Sequence, residues 1–269
     1  MPALPAAFLG PPLAHRALHD RAAGRPENSV AAVRAAVAAG YGIEIDIQPS
    51  ADGVPMVFHD YDLKRLTGRS GQVSDLTAAD LARTPLLGGD DGVPTLAEVL
   101  GIVAGRVALL VEIKDQDGAM GANVGPLERA VAGVLAGYAG PVAVMSFNPH
   151  SVAAMARAAP DLPRGLTTCG WDAAEAAEDG VSPEDSARLR AIPDYDRVGA
   201  SFISHHHLDL GRPRVADLKA AGAAVLCWTI RSPAEEAAAR RVAGNVTFRV
   251  MPRPFALDLP APRPILPAR

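Results

Sequence analysis

Cysteine is nearly absent: Cys169 and Cys227 are the only two in a chain of 269 residues. Without CxxC spacing they support neither a zinc cluster nor a disulfide framework, and a reduced compartment fits them. Long apolar runs are also missing. No segment approaches the roughly 18 apolar residues that a membrane-spanning helix needs. Met1 to Leu13 lacks a basic start followed by an apolar stretch and a small-residue cleavage site. A cytoplasmic protein without stable membrane insertion is therefore expected. Positive charge is not in excess either: 26 Lys and Arg against 30 Asp and Glu, interspersed, leave a net charge of −4. No basic stripe for nucleic acid and no polybasic patch for a lipid surface is present. Aromatic residues make up only 4%, so small aliphatic side chains carry most of the packing.

What the chain does have is a rhythm. Short aliphatic or β-branched runs recur at 42–47, 54–58, 107–113, 141–146, 163–168, 199–204, 223–229 and 245–250. Helix starts stand between them: Glu27-Asn28-Ser29 before Val30–Ala39, Pro94-Thr95 before Leu96–Val103, Asn148-Pro149 before His150–Ala158, and Ser232-Pro233 before Ala234–Val242. Strands alternating with helices of this length predict βαβ units and a parallel sheet. Adding the short segment Pro12–His15 gives about eight units, and hence an α/β chain forming a single (β/α)8 barrel over 1–250. The run 54–58 is expected as an extra strand, hairpinned to 42–47 through Ala51-Asp52-Gly53. A doubly wound sheet would want a glycine-rich turn after its first strand, which is missing. Residues 60–93 read as a small insertion over the barrel mouth. Met251–Arg269, with six prolines in nineteen residues, reads as an extended tail.

Glu44-Ile45-Asp46 and Glu112-Ile113-Lys114 each place two ionic side chains two positions apart in an apolar run. Alternation along a strand sends such pairs to one side of the sheet, and a carboxylate is rarely buried without a partner or a cation. Two readings stand: a hard cation such as Mg²⁺ or Ca²⁺ held by Glu44, Asp46 and Glu112, or ion pairing across the barrel with Lys114 as the nearest partner. Beside a metal, Lys114 would serve as a point charge on a phosphate oxygen. His15 and His59 each follow an apolar stretch and are either a general acid and base about a P–O bond or ordinary polar residues at strand ends. Arg16 either grips phosphate bidentately or bridges Asp60 or Glu27. Trp228 either stacks on an apolar or glycerol portion of a substrate or packs in the core. His15, Glu44, Asp46, Glu112, Lys114, Asn148 and Trp228 are all expected at or just past the C-terminal ends of their strands, the face where barrel enzymes keep their chemistry. His205-His206-His207 reads as a loop or strand end, because neighbours in a strand point opposite ways. Asp20, Asp115 and Asp117 read as solvated loop charges.

Taken in order, His15-Arg16, Pro26-Glu27-Asn28-Ser29, Glu44-Ile45-Asp46, Asp52-Gly53-Val54-Pro55-Met56-Val57-Phe58-His59-Asp60 and Glu112-Ile113-Lys114 strongly resemble the glycerophosphodiester phosphodiesterase family. Ser146-Phe147-Asn148 and Cys227-Trp228-Thr229 look like that family's later strands. The resemblance implies a TIM-type barrel that hydrolyses glycerophosphodiesters to sn-glycerol 3-phosphate and an alcohol with a divalent cation. It implies His15 and His59 as catalytic, Glu44, Asp46 and Glu112 as metal ligands, and Arg16 and Lys114 as phosphate contacts. Two departures stand out. Ala17 occupies the place where Gly usually follows His-Arg, and the last strand, Asn245-Val246-Thr247-Phe248-Arg249, lacks the aspartate many members carry. A lysophospholipase D-type enzyme and a noncatalytic barrel that binds a phosphorylated ligand are the alternatives. Binding phosphate alone would not call for two imidazoles.

Overall fold

In the computed structural model, which describes residues 2–116, 118–172, 176 and 181–249, strand β1 (Leu13–Ala14) pairs in parallel with both β2 (Gly42–Pro49) and β9 (Asn245–Phe248). That double pairing closes the sheet. Between β2 and β9 lie β4 (Leu109–Ile113), β5 (Val142–Ser146), β6 (Arg164–Thr168), β7 (Phe202–His206) and β8 (Ala224–Ile230), all parallel. The result is the predicted eight-stranded (β/α)8, or TIM, barrel. Strand β3 (Pro55–Val57) runs antiparallel to the far end of β2 and stands outside the ring, as the Ala51-Asp52-Gly53 turn foretold.

Local chemistry sets the helix boundaries. Ser29 accepts from the Ala32 N–H to start Val30–Ala39, and Gly40 closes that helix in the left-handed region at φ 74°. Thr95 and Glu98 form a reciprocal capping box on Leu96–Val103. Asn148 caps Pro149–Ala158, and Ser232 caps Pro233–Ala239. The seventh strand begins later than the aliphatic run 199–204 suggests. The chain up to Val198 is still a turn held to Arg164, whose Nε donates to the Val198 carbonyl at 3.0 Å.

Alternation within the strands decides what the barrel interior contains. Ile43, Ile45 and Ile47 on β2, and Leu109, Val111 and Ile113 on β4, join the apolar layer between the strands and helices such as Val30–Ala39 and Leu96–Val103. Glu44 and Asp46, and Leu110 and Glu112, therefore point inward. The interior toward the strand N-termini is apolar: Phe8, Leu13, Leu110, Met145, Phe202 and Leu226 pack together there. Gly165 makes room for the Phe202 ring, since a Cβ on it would lie 2.4 Å from that ring. Phe8, fully buried on a short 3₁₀ turn (Ala6–Leu9), plugs this end, and buried Asn245 ties the plug down by donating to the Phe8 and Pro11 carbonyls at 2.8 Å each.

Residues 60–93 carry two short helices (Lys64–Thr67 and Ala78–Ala82) and a 3₁₀ turn, with only isolated bridges in place of strands. They hold their own apolar cluster, in which Leu63, Leu66, Val73, Leu81, Leu86 and Val93 pack on Met56 and Phe58. Two readings of the sequence need correction. Glu44 and Asp46 lie inside β2 rather than at its end, because the hairpin prolongs that strand to Pro49. Asp115 is buried rather than solvated; it accepts from Asn148 Nδ2 at 2.6 Å and from the Met120 N–H at 2.9 Å. Asp117 and the tail Met251–Arg269 lie outside the described residues.

The Phe8→Ala substitution should lower stability by about 3–5 kcal/mol in urea unfolding, because the closed barrel end has no neighbour free to fill the cavity. A loss below about 1 kcal/mol would show that the end collapses without its plug.

Candidate active site

Asp46 and Glu112 are direct register partners on β2 and β4, and Glu44 lies one inward position earlier on β2. The three are buried, and one carboxylate oxygen from each lies within 4.8 Å of the others. Lys114, the next inward position after Glu112, places its Nζ 2.7 Å from Asp46 Oδ1 and also on Glu112 Oε1. The Arg16 N–H donates to Glu44 Oε2 at 2.9 Å, and Asn28 Nδ2 donates to Asp46 Oδ2 at 2.9 Å. Burial, and then the facing charges of Asp46 and Glu112, push the Glu44 carboxyl well above its usual range. For Asp46 burial acts the same way, but Lys114, His59 and Arg16 outweigh it and hold the carboxyl well below the usual range. Burial disfavours the Lys114 ammonium, yet Asp46 and Glu112 more than offset that and keep it firmly charged. Lys114, with an Arg16 guanidinium shared with Glu27, leaves three clustered acids short of positive charge.

The loop after β1 takes an unusual backbone path, with φ of 55° at Arg16 and 64° at Ala17. Ala17 thus adopts the left-handed backbone that Gly would adopt freely, at a cost of roughly 1–2 kcal/mol. This turn sends the Arg16 side chain to Glu27, with Nη1 2.7 Å from Oε1, and its Nε lies 3.6 Å from Asp46 Oδ2. Arg65 clamps Glu27 from the insertion (2.7 and 3.0 Å) and also Asp60 (2.6 and 2.8 Å). Asp60 in turn meets Nδ1 of His59 at 2.8 Å. Burial would raise the Glu27 carboxyl, but Arg65 and Arg16 bring it down to about 2. His15 donates its backbone N–H to the Phe248 carbonyl at 2.9 Å. Its imidazole is pushed well below the ordinary histidine range by burial and by Arg16.

His15, Arg16, Glu44, Asp46, His59, Glu112, Lys114 and Trp228 all line one cavity of about 180 Å³ at the C-terminal mouth of the barrel. The eight residues given catalytic, metal or substrate roles from the sequence therefore meet in one place, whereas Asn148 caps Pro149–Ala158 and binds Asp115 instead. A wider recess of about 780 Å³ adjoins it across His59, Lys114, Phe147 and Trp228, and is bordered by Asp60, Tyr61, Asp62 and Gln72 from the insertion. The Trp228 indole N–H donates to the Ser204 carbonyl at 2.9 Å, and the ring stacks on His206 with centroids 5.0 Å apart. The three consecutive histidines diverge: His205 is fully buried against Thr168 and Asp209, His206 lies on Trp228, and His207 begins a 3₁₀ turn. They end a strand, as read, and the side chains of His205 and His206 take separate partners.

Of the two roles read for Arg16, the bridge to Glu27 is present. Asn28, read from the sequence only as part of a helix start and of the family motif, holds Asp46. Arg231, Thr247 and Arg249 also line the cavity. Arg231 and Arg249 follow β8 and β9 directly, so the rule that picked out Lys114 at a strand end applied to them as well.

A model of the glycerophosphoryl diester phosphodiesterase family matches residues 15–247. The chain belongs to that family. Among similar proteins, YhdW of Bacillus subtilis is 27% identical over 82% of this chain and 86% of its own length. A glycerophosphodiester phosphodiesterase of Caldanaerobacter subterraneus is 31% identical over 54% of this chain and 63% of its own length. In fold, the barrel is similar to an Oleispira antarctica phosphodiesterase solved with its product sn-glycerol 3-phosphate (TM-score 0.70, 24% identity, 90% of this chain, 94% of that one). It is likewise similar to a Thermotoga maritima glycerophosphodiester phosphodiesterase (TM-score 0.66, 21% identity, 88% and 92%).

Glu27 supplies a pH prediction for this family member. Its carboxyl is lowered from 4.5 to about 2 on folding, so the folded state binds its proton less readily than the unfolded chain. The resulting stabilisation, up to about 3 kcal/mol, is present above pH 4.5 and lost as pH falls toward 2. Glu27→Gln should lower the urea midpoint at pH 7 and flatten its fall between pH 5 and 3. A variant with the parent's acid profile would show that the arginines around Glu27 add nothing net.

Proposed function

We propose that this chain hydrolyses glycerophosphodiesters to sn-glycerol 3-phosphate and an alcohol, using a divalent cation held by Glu44, Asp46 and Glu112 and proton transfer by His15 and His59. The observation that carries the reading is the meeting of three buried acids, two imidazoles, Arg16 and Lys114 in one cavity. The acid group suits a hard cation: its donors are all carboxylate oxygens, they lie within 4.8 Å, and Glu44 resists ionisation without further positive charge. Bound there, Mg²⁺ or Ca²⁺ supplies Lewis-acid polarisation of a phosphoryl oxygen and neutralises charge that develops during P–O cleavage.

The side chains divide the remaining work. Arg16 has committed Nη1 to Glu27 but keeps a buried Nε with no hydrogen-bond partner, which can donate to a phosphate oxygen. Lys114 offers its remaining N–H from a fixed position between Asp46 and Glu112. His15, kept neutral at neutral pH by burial and Arg16, is suited to accept the proton of the attacking hydroxyl. His59 is held through Nδ1 by Asp60, which leaves Nε2 to protonate the departing alkoxide and sets the ring's orientation. Trp228 presents its ring to the carbon skeleton of the substrate. The adjoining recess sets Asp60, Asp62 and Gln72 on the side of the 60–93 segment against Tyr61, Met120, Phe147 and Trp228; the polar side suits a water-soluble alcohol, and a lysophospholipid in the substrate panel tests whether the apolar side takes an acyl chain.

Release of glycerol 3-phosphate from a panel of glycerophosphodiesters, with EDTA and then Mg²⁺ or Ca²⁺, tests this reading. The parent should be active only with metal, and His15→Ala should fall about 10²- to 10⁴-fold. No turnover across the panel by a folded, cation-bound protein would contradict it.

A further inference from the structure

Two arginines on the β8–β9 side of the cavity have no part in the chemistry above. Arg231 directly follows β8 and Arg249 directly follows β9, and the residues before them, Ile230 and Phe248, are register partners. The Arg249 N–H donates to the Ile230 carbonyl at 2.9 Å, so the two side chains spring from adjacent points on the rim. Both line the cavity that contains the acids and imidazoles.

Their charges are poorly compensated. Among the described residues no carboxylate lies within 4.0 Å of the Arg231 guanidinium, whose Nη1 reaches only the Thr229 carbonyl at 3.4 Å; Glu235 accepts from the Arg231 backbone N–H at 2.6 Å but makes no ion pair with its side chain. Arg249 has Glu27 alone, at 3.6 Å. That carboxylate is already bound at 2.7 Å by both Arg16 and Arg65. Burial and the neighbouring charges of Arg16, Arg231 and Arg65 all disfavour the Arg249 cation. Beside the pair, Thr247 lines the same cavity; it is 1% exposed, and its buried Oγ1 has no hydrogen-bond partner. Two under-compensated guanidinium groups and an unsatisfied buried hydroxyl on one wall describe a socket for an anion. The phosphodiester itself is served by Arg16 and Lys114, from β1 and β4.

We propose that Arg231, Arg249 and Thr247 form a second anion site, which binds a phosphate or carboxylate carried by the substrate in addition to its scissile phosphodiester. The preferred substrates are then glycerophosphodiesters whose alcohol is itself anionic. This rests on the reading that the cavity takes a phosphodiester, but the socket can be tested apart from turnover.

Two measurements test it on the Mg²⁺-loaded full chain. Calorimetry compares 1,3-propanediol bisphosphate with propyl phosphate for the parent, for Arg231→Gln and for Arg231→Gln/Arg249→Gln. Kinetics compares kcat/KM for glycerophosphoglycerol with that for two analogues whose alcohol bears a terminal phosphate or a carboxylate. The parent should bind the bisphosphate at least tenfold more tightly and should prefer one or both anionic alcohols at least tenfold. Both ratios should drop in the exposed single variant and approach one in the double variant. The analogue whose ratio changes identifies the anion. A bisphosphate preference that persists without turnover of any diester would overturn the proposed hydrolysis and leave the socket standing. Parent ratios near one, or variant losses shared equally by both members of each pair, would overturn the socket.

Discussion

Three buried carboxylates facing one another require positive charge, and the mouth of this barrel is arranged around that requirement. The register of β2 and β4 sets Asp46 beside Glu112, and the outward packing of Ile43, Ile45 and Ile47 obliges Glu44 and Asp46 to face inward. Lys114 answers part of the repulsion, and the residue of it appears in Glu44, whose carboxyl resists ionisation. A buried charge cluster that breaks even only with a further cation is poor architecture for stability and well suited to holding an ion.

Around the acids runs a ring of second contacts that links barrel and insertion. Arg65, from the 60–93 segment, holds both Glu27 and Asp60. Glu27 orients Arg16, and Asp60 orients His59. One side chain outside the barrel thereby fixes two groups inside the site. The insertion's own apolar cluster, built on Phe58 next to His59, gives Arg65 a rigid base. The arrangement couples the packing of a short surface segment to the placement of an imidazole and a guanidinium.

The barrel was legible in the sequence because period-two strands and capped helices alternate. The acids were legible because Glu-Ile-Asp and Glu-Ile-Lys break apolar runs at a spacing that puts charges on one face. What escaped was long-range pairing. Nothing local to Glu27 says that Arg65 and Arg249 join Arg16 on it, and nothing local to Asp115 says that Asn148 will bury it. The strand limits moved for similar reasons: β2 outlasts its apolar run because β3 pairs with its end, and β7 starts late because Arg164 holds the preceding turn. Arg231 and Arg249 belong to no Glu-Ile-Asp-like motif, although their place after β8 and β9 follows the same strand-end rule as Lys114.

Glu44, Asp46 and Glu112 lack full compensating charge, and a single divalent cation should supply it. Calorimetric titration of Mg²⁺ or Ca²⁺ into the metal-free chain at pH 6 and pH 8, with Glu44→Gln in parallel, tests it most directly. One ion per chain is expected, with proton release on binding as the cation displaces the proton favoured on Glu44, and with much weaker binding in the variant. Absence of binding, or equal affinity in parent and variant, would contradict it.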